Sequence, residues 1–286
     1  MTVTRRRPHA LWLRSRGSVP TAATRLICFP HAGGTAGYYL PLLQGLQPQV
    51  EVLAVQYPGR QDRMAEPAVE DLRHLADLIA DQLLGLMAEE TDGAGPLPYA
   101  FLGHSYGATV AYEVALRLAG SAGPGPAALY ASGSTAPSRR RPHRPLPDGD
   151  ALVADLRELG GTFPDLLAHP DLLELVLPPL RADYAALAGY AFRPGPVLGV
   201  PIWALIGDSD PRVTPSEACD WRSHTTGAFE LRIFRGGHFY LADHQERLLR
   251  LLAGGQAAIA RPPAAAGTGP AAAVLPHSRR SRSRSW

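Results

Sequence analysis

Short apolar runs alternate with helical patterns along most of the chain, and this alternation restricts its fold more than any other feature. The apolar runs show little polar alternation, as is typical of parallel strands covered on both faces. Helical stretches, with apolar residues three and four positions apart, separate several of these runs. The repeated order of strand and helix predicts an α/β fold, in which helices cover both faces of an open, mostly parallel sheet. The candidate strands are 25–30, 51–57, 99–104, 127–132, 201–207 and 229–234, and the candidate helices are 69–87, 107–119 and 239–253.

Residues 136–196 interrupt this alternation of strands and helices, because they contain helical patterns and a basic, Pro-rich stretch but no candidate strand. An insertion of that length at the ligand end of a sheet is commonly a lid or a substrate-binding subdomain. The alternative is a helical decoration without a role in binding. We favour the lid, and we predict that it covers about residues 136–196.

The two ends of the chain differ in composition from its body. Residues 1–20 are basic, and their apolar stretch "ALWL" is too short for the core of a signal peptide. Residues 256–286 are rich in Pro, Ala, Arg and Ser and hold too few large apolar residues to build a core. We therefore predict a flexible basic N-terminus over 1–20, one folded domain over 21–255, and a disordered tail over 256–286.

Composition also limits where the protein can be located in the cell and which kinds of partner it can bind. No apolar run approaches the roughly 18 residues of a membrane span, and two cysteines, Cys28 and Cys219, fit a reducing compartment better than a disulfide framework. Of the 28 basic residues, ten arginines lie in the end segments, so the body holds 18 basic and 26 acidic residues, a net charge of −8. An acidic body argues against a nucleic-acid-binding surface. We expect a cytoplasmic monomer that contacts neither membrane nor nucleic acid.

The segment "FLGHSYGAT" (101–109) contains the pattern Gly-x-Ser-x-Gly around Ser105. In a chain with 29 glycines this pattern can arise by chance, so its context decides. A candidate strand precedes Ser105 and a helical pattern follows it, which is the strand-to-helix turn of a nucleophile elbow. The N-terminus of the following helix favours negative charge that develops near the serine oxygen. This context predicts that Ser105 is a nucleophile.

A serine hydroxyl needs a base to remove its proton, and in this kind of sheet an acid and then a histidine follow the serine in the chain. The loop after the strand at 201–207 carries Asp208 and Asp210, and a Gly-Gly loop after the next strand carries His238. We assign His238 as the base. We assign Asp210 as the acid, because a carboxylate further from the strand end reaches the histidine loop more easily. Asp208 remains the rival, with the alternative role of capping the turn.

The transition state of acyl transfer also needs donors for an oxyanion, each worth about 2.7–4 kcal/mol in hydrolases. One donor is expected to be the backbone N–H of Tyr106, directly after Ser105. The other is expected from "HAGG" (31–34), which directly follows an early strand, and we select the N–H of Ala32. Alone, "HAGG" would indicate only a tight turn. The strand before it and the elbow elsewhere in the chain favour the catalytic interpretation.

The sequence implies neither a metal nor a cofactor. Its histidines do not form a recognisable zinc pattern, and His104, directly before Ser105, is expected to support packing rather than catalysis. No Gly-x-Gly-x-x-Gly or phosphate-loop motif follows a candidate strand, so no nucleotide cofactor is expected.

Five segments, in this order, resemble the stand-alone type II thioesterases that accompany polyketide synthases and nonribosomal peptide synthetases. They are "FPHAGG" (29–34), "VQYPGRQDR" (55–63), "GHSYGATVAYEVA" (103–115), "GDSDPRV" (207–213) and "GGHFYL" (236–241). The segment "HPDLLELVLPPLRADYAAL" (169–187) is similar to the helical lid of that family. The resemblance covers about residues 24–254 and implies an α/β-hydrolase fold with a helical lid.

The resemblance also implies a reaction, the hydrolysis of the thioester between an acyl chain and the phosphopantetheine arm of an acyl or peptidyl carrier protein. Such hydrolysis clears aberrant acyl groups from stalled synthases. On this hypothesis Ser105 forms an acyl-enzyme, and the other site residues take the roles given above. A carrier protein is the expected partner, and the arginines at 139–141 and 144 are a candidate surface for it.

Two other functions stay open at this point. A carboxylesterase or lipase acting on small free esters needs the same Ser, Asp and His. A non-catalytic binding protein of the same fold is the alternative from another class. The presence of all three residues in the required order counts against that alternative.

Overall fold

The computed structural model of the chain describes residues 9–17, 19–90, 95–140, 149–160 and 170–260. Its strands are β1 (Leu13–Arg14), β2 (Thr24–Phe29), β3 (Val50–Val55), β4 (Tyr99–His104), β5 (Leu129–Ser132), β6 (Ile202–Gly207) and β7 (Phe229–Phe234). They form one sheet in the order β1-β3-β2-β4-β5-β6-β7. Every neighbouring pair is parallel except β1 with β3, which is antiparallel. The mostly parallel sheet that the sequence predicts is confirmed.

Helices cover both faces of the sheet. They are α1 (His9–Trp12), α2 (Ala36–Leu42), α3 (Leu72–Glu89), α4 (Tyr106–Ala119), α5 (Gly149–Leu159), α6 (Pro170–Gly189), α7 (Pro215–Cys219), α8 (Tyr240–Asp243) and α9 (Gln245–Ala260). Successive residues of a strand point to opposite sides. In β2, Ile27 and Phe29 therefore share a core with α3 and α4, while Leu26 and Cys28 share another core with α2 and α9.

The N-terminal segment departs from the prediction that residues 1–20 lie outside the folded unit. Trp12 and Leu13 are only 9% and 8% exposed, and β1 extends the sheet at its edge. The guanidinium of Arg63 lies 4.0 Å from the centre of the Trp12 ring, and the Trp12 carbonyl accepts a 2.7 Å hydrogen bond from the Gln56 N–H. A two-residue strand carries too little periodicity to be recognised in a sequence, so this prediction is corrected.

The helix that the sequence predicts over 239–253 is divided into α8 and α9, which meet at His244. The imidazole Nε2 of His244 donates a 2.6 Å hydrogen bond to the Arg235 carbonyl at this break. Helix α9 then continues to Ala260, beyond the predicted domain boundary at 255. The rest of the predicted tail, residues 261–286, lies outside the described residues.

Helices α5 and α6 stand between β5 and β6 in the chain, where the sequence predicts a helical lid. They pack on each other through Leu152 and Leu156 of α5 and Leu180 and Tyr184 of α6, and Phe239 joins this small core. Because Phe239 follows His238, the two helices lie over the loop that carries the predicted base. Residues 141–148 and 161–169 of the same insertion lie outside the described residues. Among the helices that the structure describes, none is long and apolar enough to cross a membrane.

Candidate active site

Ser105 lies on the turn between β4 and α4, at the carboxyl end of a central strand. Its backbone has φ 55° and ψ −118°, a region that residues with a side chain rarely adopt and that costs about 1–3 kcal/mol. The Ser105 N–H donates a 2.7 Å hydrogen bond to the Ser132 carbonyl of β5, which holds the turn. This conformation lifts the serine out of the strand direction, as a nucleophile elbow requires.

The two glycines of the motif permit this turn. A Cβ at Gly103 would collide with the backbone of Gly107 and Ala108, and a Cβ at Gly107 would collide with the carbonyls of Phe29 and Pro30. Strand β4, helix α4 and the end of β2 therefore approach each other too closely for any side chain. The pattern Gly-x-Ser-x-Gly in this chain has a packing cause at both glycines.

Asp210 and His238 meet below this turn. The Nδ1–H of His238 donates to both carboxylate oxygens of Asp210, at 2.9 and 3.0 Å, and both side chains are buried. Because Nδ1 carries the proton in this bond, Nε2 is left as the acceptor. His238 and Ser105 line the same cavity. The structure thus brings together the three residues that the sequence selects as nucleophile, base and acid.

Asp208, the rival acid, has another role. Its Oδ1 accepts a 2.9 Å hydrogen bond from the Gly236 N–H, and its own N–H donates to the Phe234 carbonyl over 2.8 Å. Asp208 is exposed, and these bonds tie the end of β6 to the loop that leads to His238. The turn-capping role that the sequence leaves open is the one that Asp208 takes.

Two further histidines surround His238. The rings of His104 and His238 are centred 4.9 Å apart, and the rings of His31 and His104 are centred 6.0 Å apart. Burial, together with nearby His238 and Arg60, lowers the pKa of His31 to about 3, and burial lowers the pKa of His104 well below its usual value. Both are therefore neutral at pH 7. His104 Nδ1 bonds to Ser132 Oγ over 2.9 Å, which is a packing role.

The predicted oxyanion donors, Ala32 and Tyr106, line the same cavity as Ser105. Within the part of the chain that the structure describes, neither backbone N–H donates to another protein atom. Both donors are thus available to an oxygen of a bound substrate. An oxyanion at this point would also lie at the N-terminus of α4, where the helix dipole favours negative charge.

The loop that carries Ala32 is fixed by an ion pair that sequence reasoning missed. Asp183 of α6 accepts hydrogen bonds from Arg60 at 2.7 and 2.9 Å and from the Gly33 N–H at 2.7 Å. Arg60 also donates to the Gly34 carbonyl over 3.2 Å. Both charged side chains are buried. "YPGR" and "RADY" contain these two residues, but nothing in either segment indicates that they are partners.

A second set of polar contacts joins the lid helices to the loop of the predicted acid. Asp155 of α5 forms an ion pair with Arg212 and accepts a hydrogen bond from the Tyr184 hydroxyl of α6. The Arg212 N–H donates to Asp210 Oδ1 over 2.8 Å. The lid is therefore attached both to the oxyanion loop, through Asp183, and to the acid loop, through Asp155.

The cavity has a volume of about 270 Å³ and lies between the carboxyl ends of the strands and the lid. Three arginines line it, namely Arg139, Arg140 and Arg212. The arginines that the sequence suggests as a carrier-binding surface have different environments in the structure. Both Arg139 and Arg140 line the cavity, but Arg139 is exposed and paired with Asp220, whereas Arg140 is half-buried and donates to Thr109 Oγ1. Arg141 and Arg144 lie outside the described residues.

Over the described ranges, no group of three or more His, Cys, Asp or Glu side chains is arranged to hold a metal ion. The polar groups that line the cavity include hydroxyls, an imidazole, backbone N–H groups, guanidinium groups and the carboxylate of Glu217. Such a set is suited to acyl transfer through a covalent intermediate.

Comparison with known proteins agrees with this chemistry. A family model described as a thioesterase domain matches residues 24–254 of the chain. The chain belongs to the thioesterase family. This thioesterase is 46% identical to Thioesterase PikA5 of Streptomyces venezuelae over 235 residues, 82% of this chain and 81% of PikA5. It is 45% identical to the "Probable cadicidin biosynthesis thioesterase" of Streptomyces griseus over 236 residues, which are 82% of this chain but only 63% of that protein.

Comparison with a solved structure also shows similarity to a thioesterase. The structure described as the type II thioesterase BorB from the borrelidin biosynthetic cluster matches with a TM-score of 0.77 at 44% identity. The match covers 88% of this chain and 98% of that one. The resemblance to type II thioesterases and the predicted α/β-hydrolase fold are confirmed.

Proposed function

We propose that this type II thioesterase hydrolyses the thioester between an acyl group and the phosphopantetheine arm of an acyl or peptidyl carrier protein, and so removes aberrant acyl groups from a polyketide synthase or nonribosomal peptide synthetase. One observation carries the proposal: Ser105 on its strained turn and His238 bonded to buried Asp210 line one cavity. The likeness to BorB, described as part of the borrelidin biosynthetic cluster, supports a biosynthetic source of the thioester.

In the first half of the proposed reaction, Ser105 Oγ attacks the thioester carbonyl while His238 Nε2 takes its proton. The N–H groups of Ala32 and Tyr106 donate to the oxyanion of the tetrahedral intermediate. When the C–S bond breaks, the thiol of the arm leaves with the proton from His238, and the acyl group stays on Ser105. In the second half, a water that gives a proton to His238 attacks the ester carbon, the bond from that carbon to Ser105 Oγ breaks, Oγ takes the proton back from His238, and the free acid leaves.

Asp210 is proposed to act through His238. Its two oxygens fix the imidazole with the proton on Nδ1, so that Nε2 is left to act as the base. The buried negative charge also stabilises the imidazolium that forms during each half of the reaction. Arg212 N–H donates to the same carboxylate, which keeps Asp210 oriented while His238 changes charge.

The partner and the location are part of the proposal. A carrier protein would insert its arm from outside into the cavity below α5 and α6, and the thioesterase would act as a monomer, since all proposed catalytic groups come from one chain. Cys28 and Cys219 are both free thiols, and Cys28 is buried, which supports a reducing compartment such as the cytoplasm.

The test is a panel of acyl-loaded carrier proteins, followed by mass spectrometry. The parent enzyme should unload them, and Ser105→Ala should leave them loaded while keeping its circular dichroism spectrum. A p-nitrophenyl ester serves as the comparison substrate. Faster turnover of that ester than of every acyl-carrier protein would favour the carboxylesterase alternative. Unloading that survives Ser105→Ala would contradict the assigned nucleophile.

A further inference from the structure

Ser132 is the last residue of β5, and its side chain is fully buried. A buried hydroxyl is costly unless it is hydrogen-bonded. The Oγ of Ser132 makes two hydrogen bonds, one of 2.9 Å with His104 Nδ1 and one of 2.7 Å with the Tyr240 hydroxyl. The Ser132 carbonyl accepts a third, of 2.7 Å, from the Ser105 N–H. One residue of β5 is therefore bonded to the proposed nucleophile, to the residue before it, and to α8.

The bond to Tyr240 connects Ser132 with the segment that carries the proposed base. Tyr240 follows His238 by two residues and begins α8, and its N–H donates to the Gly237 carbonyl over 3.3 Å. The Tyr240 ring stacks on Phe234 of β7, with the ring centres 4.8 Å apart. Because this stacking fixes the ring, the hydroxyl of Tyr240 ties the segment of His238 to the end of β5.

The imidazole of His238 also packs against residues at the end of β5 and β4. The rings of His104 and His238 are centred 4.9 Å apart. Gly133, directly after Ser132, lies against both rings, since a Cβ at Gly133 would be 2.6 Å from His104 Cε1 and 3.3 Å from His238 Cε1. His238 is therefore held by Asp210 at Nδ1 and is packed against His104 and Gly133.

The protons of this chain of hydrogen bonds run from Tyr240 to His104. Burial raises the pKa of Tyr240 well above its usual value, so the phenol keeps its proton, whereas His104 is neutral. If Tyr240 donates to Ser132 Oγ, the Ser132 hydroxyl can donate to His104 Nδ1, and only His104 Nε2–H lacks a partner among the described residues. The reverse direction would leave the Tyr240 proton unpaired as well as His104 Nε2. Buried donors are rarely left unpaired, which favours the first direction.

We propose that Ser132 is a positioning residue, which sets the separation of Ser105 Oγ and His238 Nε2 by bonding to the turn of the nucleophile and, through Tyr240, to the segment of the base. The inference rests on the proposed function, because it concerns the same nucleophile and base. Proton transfer between them needs heavy atoms about 2.6–3.2 Å apart. Ser105 and His238 lie on separate loops, after β4 and β7, so their separation depends on what joins those loops.

The first experiment measures kcat and KM of Ser132→Ala on one acyl-carrier substrate. We expect kcat to fall by about 10²-fold, the cost of a misplacement of about 1 Å. KM should stay near the parent value, because Ser132 is not among the residues that line the cavity. The control Tyr99→Phe removes another buried hydroxyl, which donates to the Pro124 carbonyl over 2.6 Å at the opposite end of β4. It should lose stability in urea unfolding but keep the parent kcat. A folded Ser132→Ala enzyme with the parent kcat would overturn the inference.

A double-mutant cycle separates one connected chain from two independent packing contacts. Tyr240→Phe keeps the ring on Phe234 but removes the hydroxyl, and it should lower kcat by about fivefold, because the bond from Ser132 to the other side chain remains. Ser132→Ala already breaks the bond to Tyr240, so the double variant should be no slower than Ser132→Ala. Losses that multiply in the double variant would overturn the inference. If Ser132→Ala does not fold, the parent kcat in Tyr240→Phe would overturn it.

Phosphorylation of Ser105 by diisopropyl fluorophosphate tests the positioning role without a carrier protein. Ser105 Oγ bonds to phosphorus, the P–F bond breaks, fluoride leaves, and His238 takes the serine proton. The rate constant should fall about 10²-fold in Ser132→Ala and stay unchanged in Tyr99→Phe. If the parent unloads no carrier protein but Ser132→Ala shows this fall, the proposed function fails and the positioning role stands. If the parent unloads carrier proteins but Ser132→Ala is phosphorylated at the parent rate, the proposed function stands and the positioning role fails.

Discussion

Asp183 and Arg60 form a buried, bidentate ion pair between the lid and the body of the enzyme, and the Asp183 carboxylate also accepts a hydrogen bond from the Gly33 N–H. The two residues are 123 positions apart in the chain. Gly33 follows Ala32, one of the proposed oxyanion donors. The position of that donor therefore depends on a residue of the lid helix.

Asp183→Asn should impair both stability and catalysis. It leaves the Arg60 charge buried without its partner, which costs about 3–5 kcal/mol, and it loosens the loop that carries Ala32. We expect kcat to fall more than KM rises, because the oxyanion forms only during the reaction. Urea unfolding and steady-state kinetics measure the two effects. Glu246→Gln, which removes a carboxylate from the exposed pair with Arg250, should change neither. An Asp183→Asn variant as stable and active as the control would contradict this role.

Ser105 should limit stability as well as support catalysis. Its φ of 55° is natural for glycine but not for residues with a Cβ. Ser105→Ala and Ser105→Gly should both lose turnover, and Ser105→Gly should be more stable than Ser105→Ala by about 1 kcal/mol in urea unfolding. Equal stability of the two variants would mean that the turn stores no strain.

Substitution of the two aspartates after β6 should affect kcat to very different extents. Asp210→Asn should lower kcat by on the order of 10⁴, because an amide allows the wrong tautomer of His238 and cannot stabilise its imidazolium. Asp208→Asn should have a small effect, since the amide oxygen still accepts the N–H of Gly236. Steady-state kinetics on one acyl-carrier substrate compares them. Equal losses in both variants would contradict the assignment of Asp210.

Gly107 should not tolerate a methyl group. A Cβ there meets the carbonyls of Phe29 and Pro30, both backbone atoms that cannot turn away. We expect Gly107→Ala to yield little folded protein on expression. The control is Gly85→Ala in helix α3, where nothing lies within 4 Å and alanine is the better helix former. That variant should gain about 0.5–1 kcal/mol. Normal folding of Gly107→Ala would show that β2 and α4 separate easily.

Stability should fall in mild acid because of the buried neutral histidines. An unfolded histidine has a pKa near 6.5, whereas the pKa of folded His31 is about 3. Below about pH 6.5 the unfolded chain therefore binds more protons than the native one, and stability declines until the folded pKa is reached. Each such histidine contributes a slope of up to about 1.4 kcal/mol per pH unit.

Urea unfolding between pH 7 and pH 4 tests this expectation. His31→Gln should decline less steeply than the parent protein. His74→Gln, at an exposed position of α3, should decline in parallel with the parent. Identical slopes in all three proteins would show that His31 does not contribute.

The predicted triad could be read from sequence because each residue follows a short candidate strand. Ser105 comes directly after β4, Asp210 and His238 lie in the loops after β6 and β7, and the carboxyl ends of parallel strands lie at one edge of a sheet. The sequence alone could not decide whether Asp208 or Asp210 is the partner of His238. Both positions have the right residue type in the right loop, and only hydrogen-bond geometry separates a turn cap from a partner of His238.

Other features depend on contacts that produce no recognisable pattern in the sequence. In the sequence, Arg60 and Asp183 cannot be distinguished from unpaired surface charges, because pairing between distant elements follows no periodicity. The edge strand β1 is too short to show alternation, although Trp12 packs under Arg63. Arg140 and Arg139 are neighbours in one basic stretch, and only packing places one against Thr109 of α4 and the other in an ion pair with Asp220.

The lid attachment through Asp183 has a consequence for how substrates are chosen. If α6 lifts, Gly33 and Arg60 lose their shared partner at the same moment. With α6 displaced, the loop of Ala32 would lose the contact that fixes it, and hydrolysis would require α6 to return. An acyl group would then be cleaved only if it stays in the cavity while α6 is in place. Acyl groups that a synthase uses quickly would be spared, and those that remain on a carrier protein would be hydrolysed.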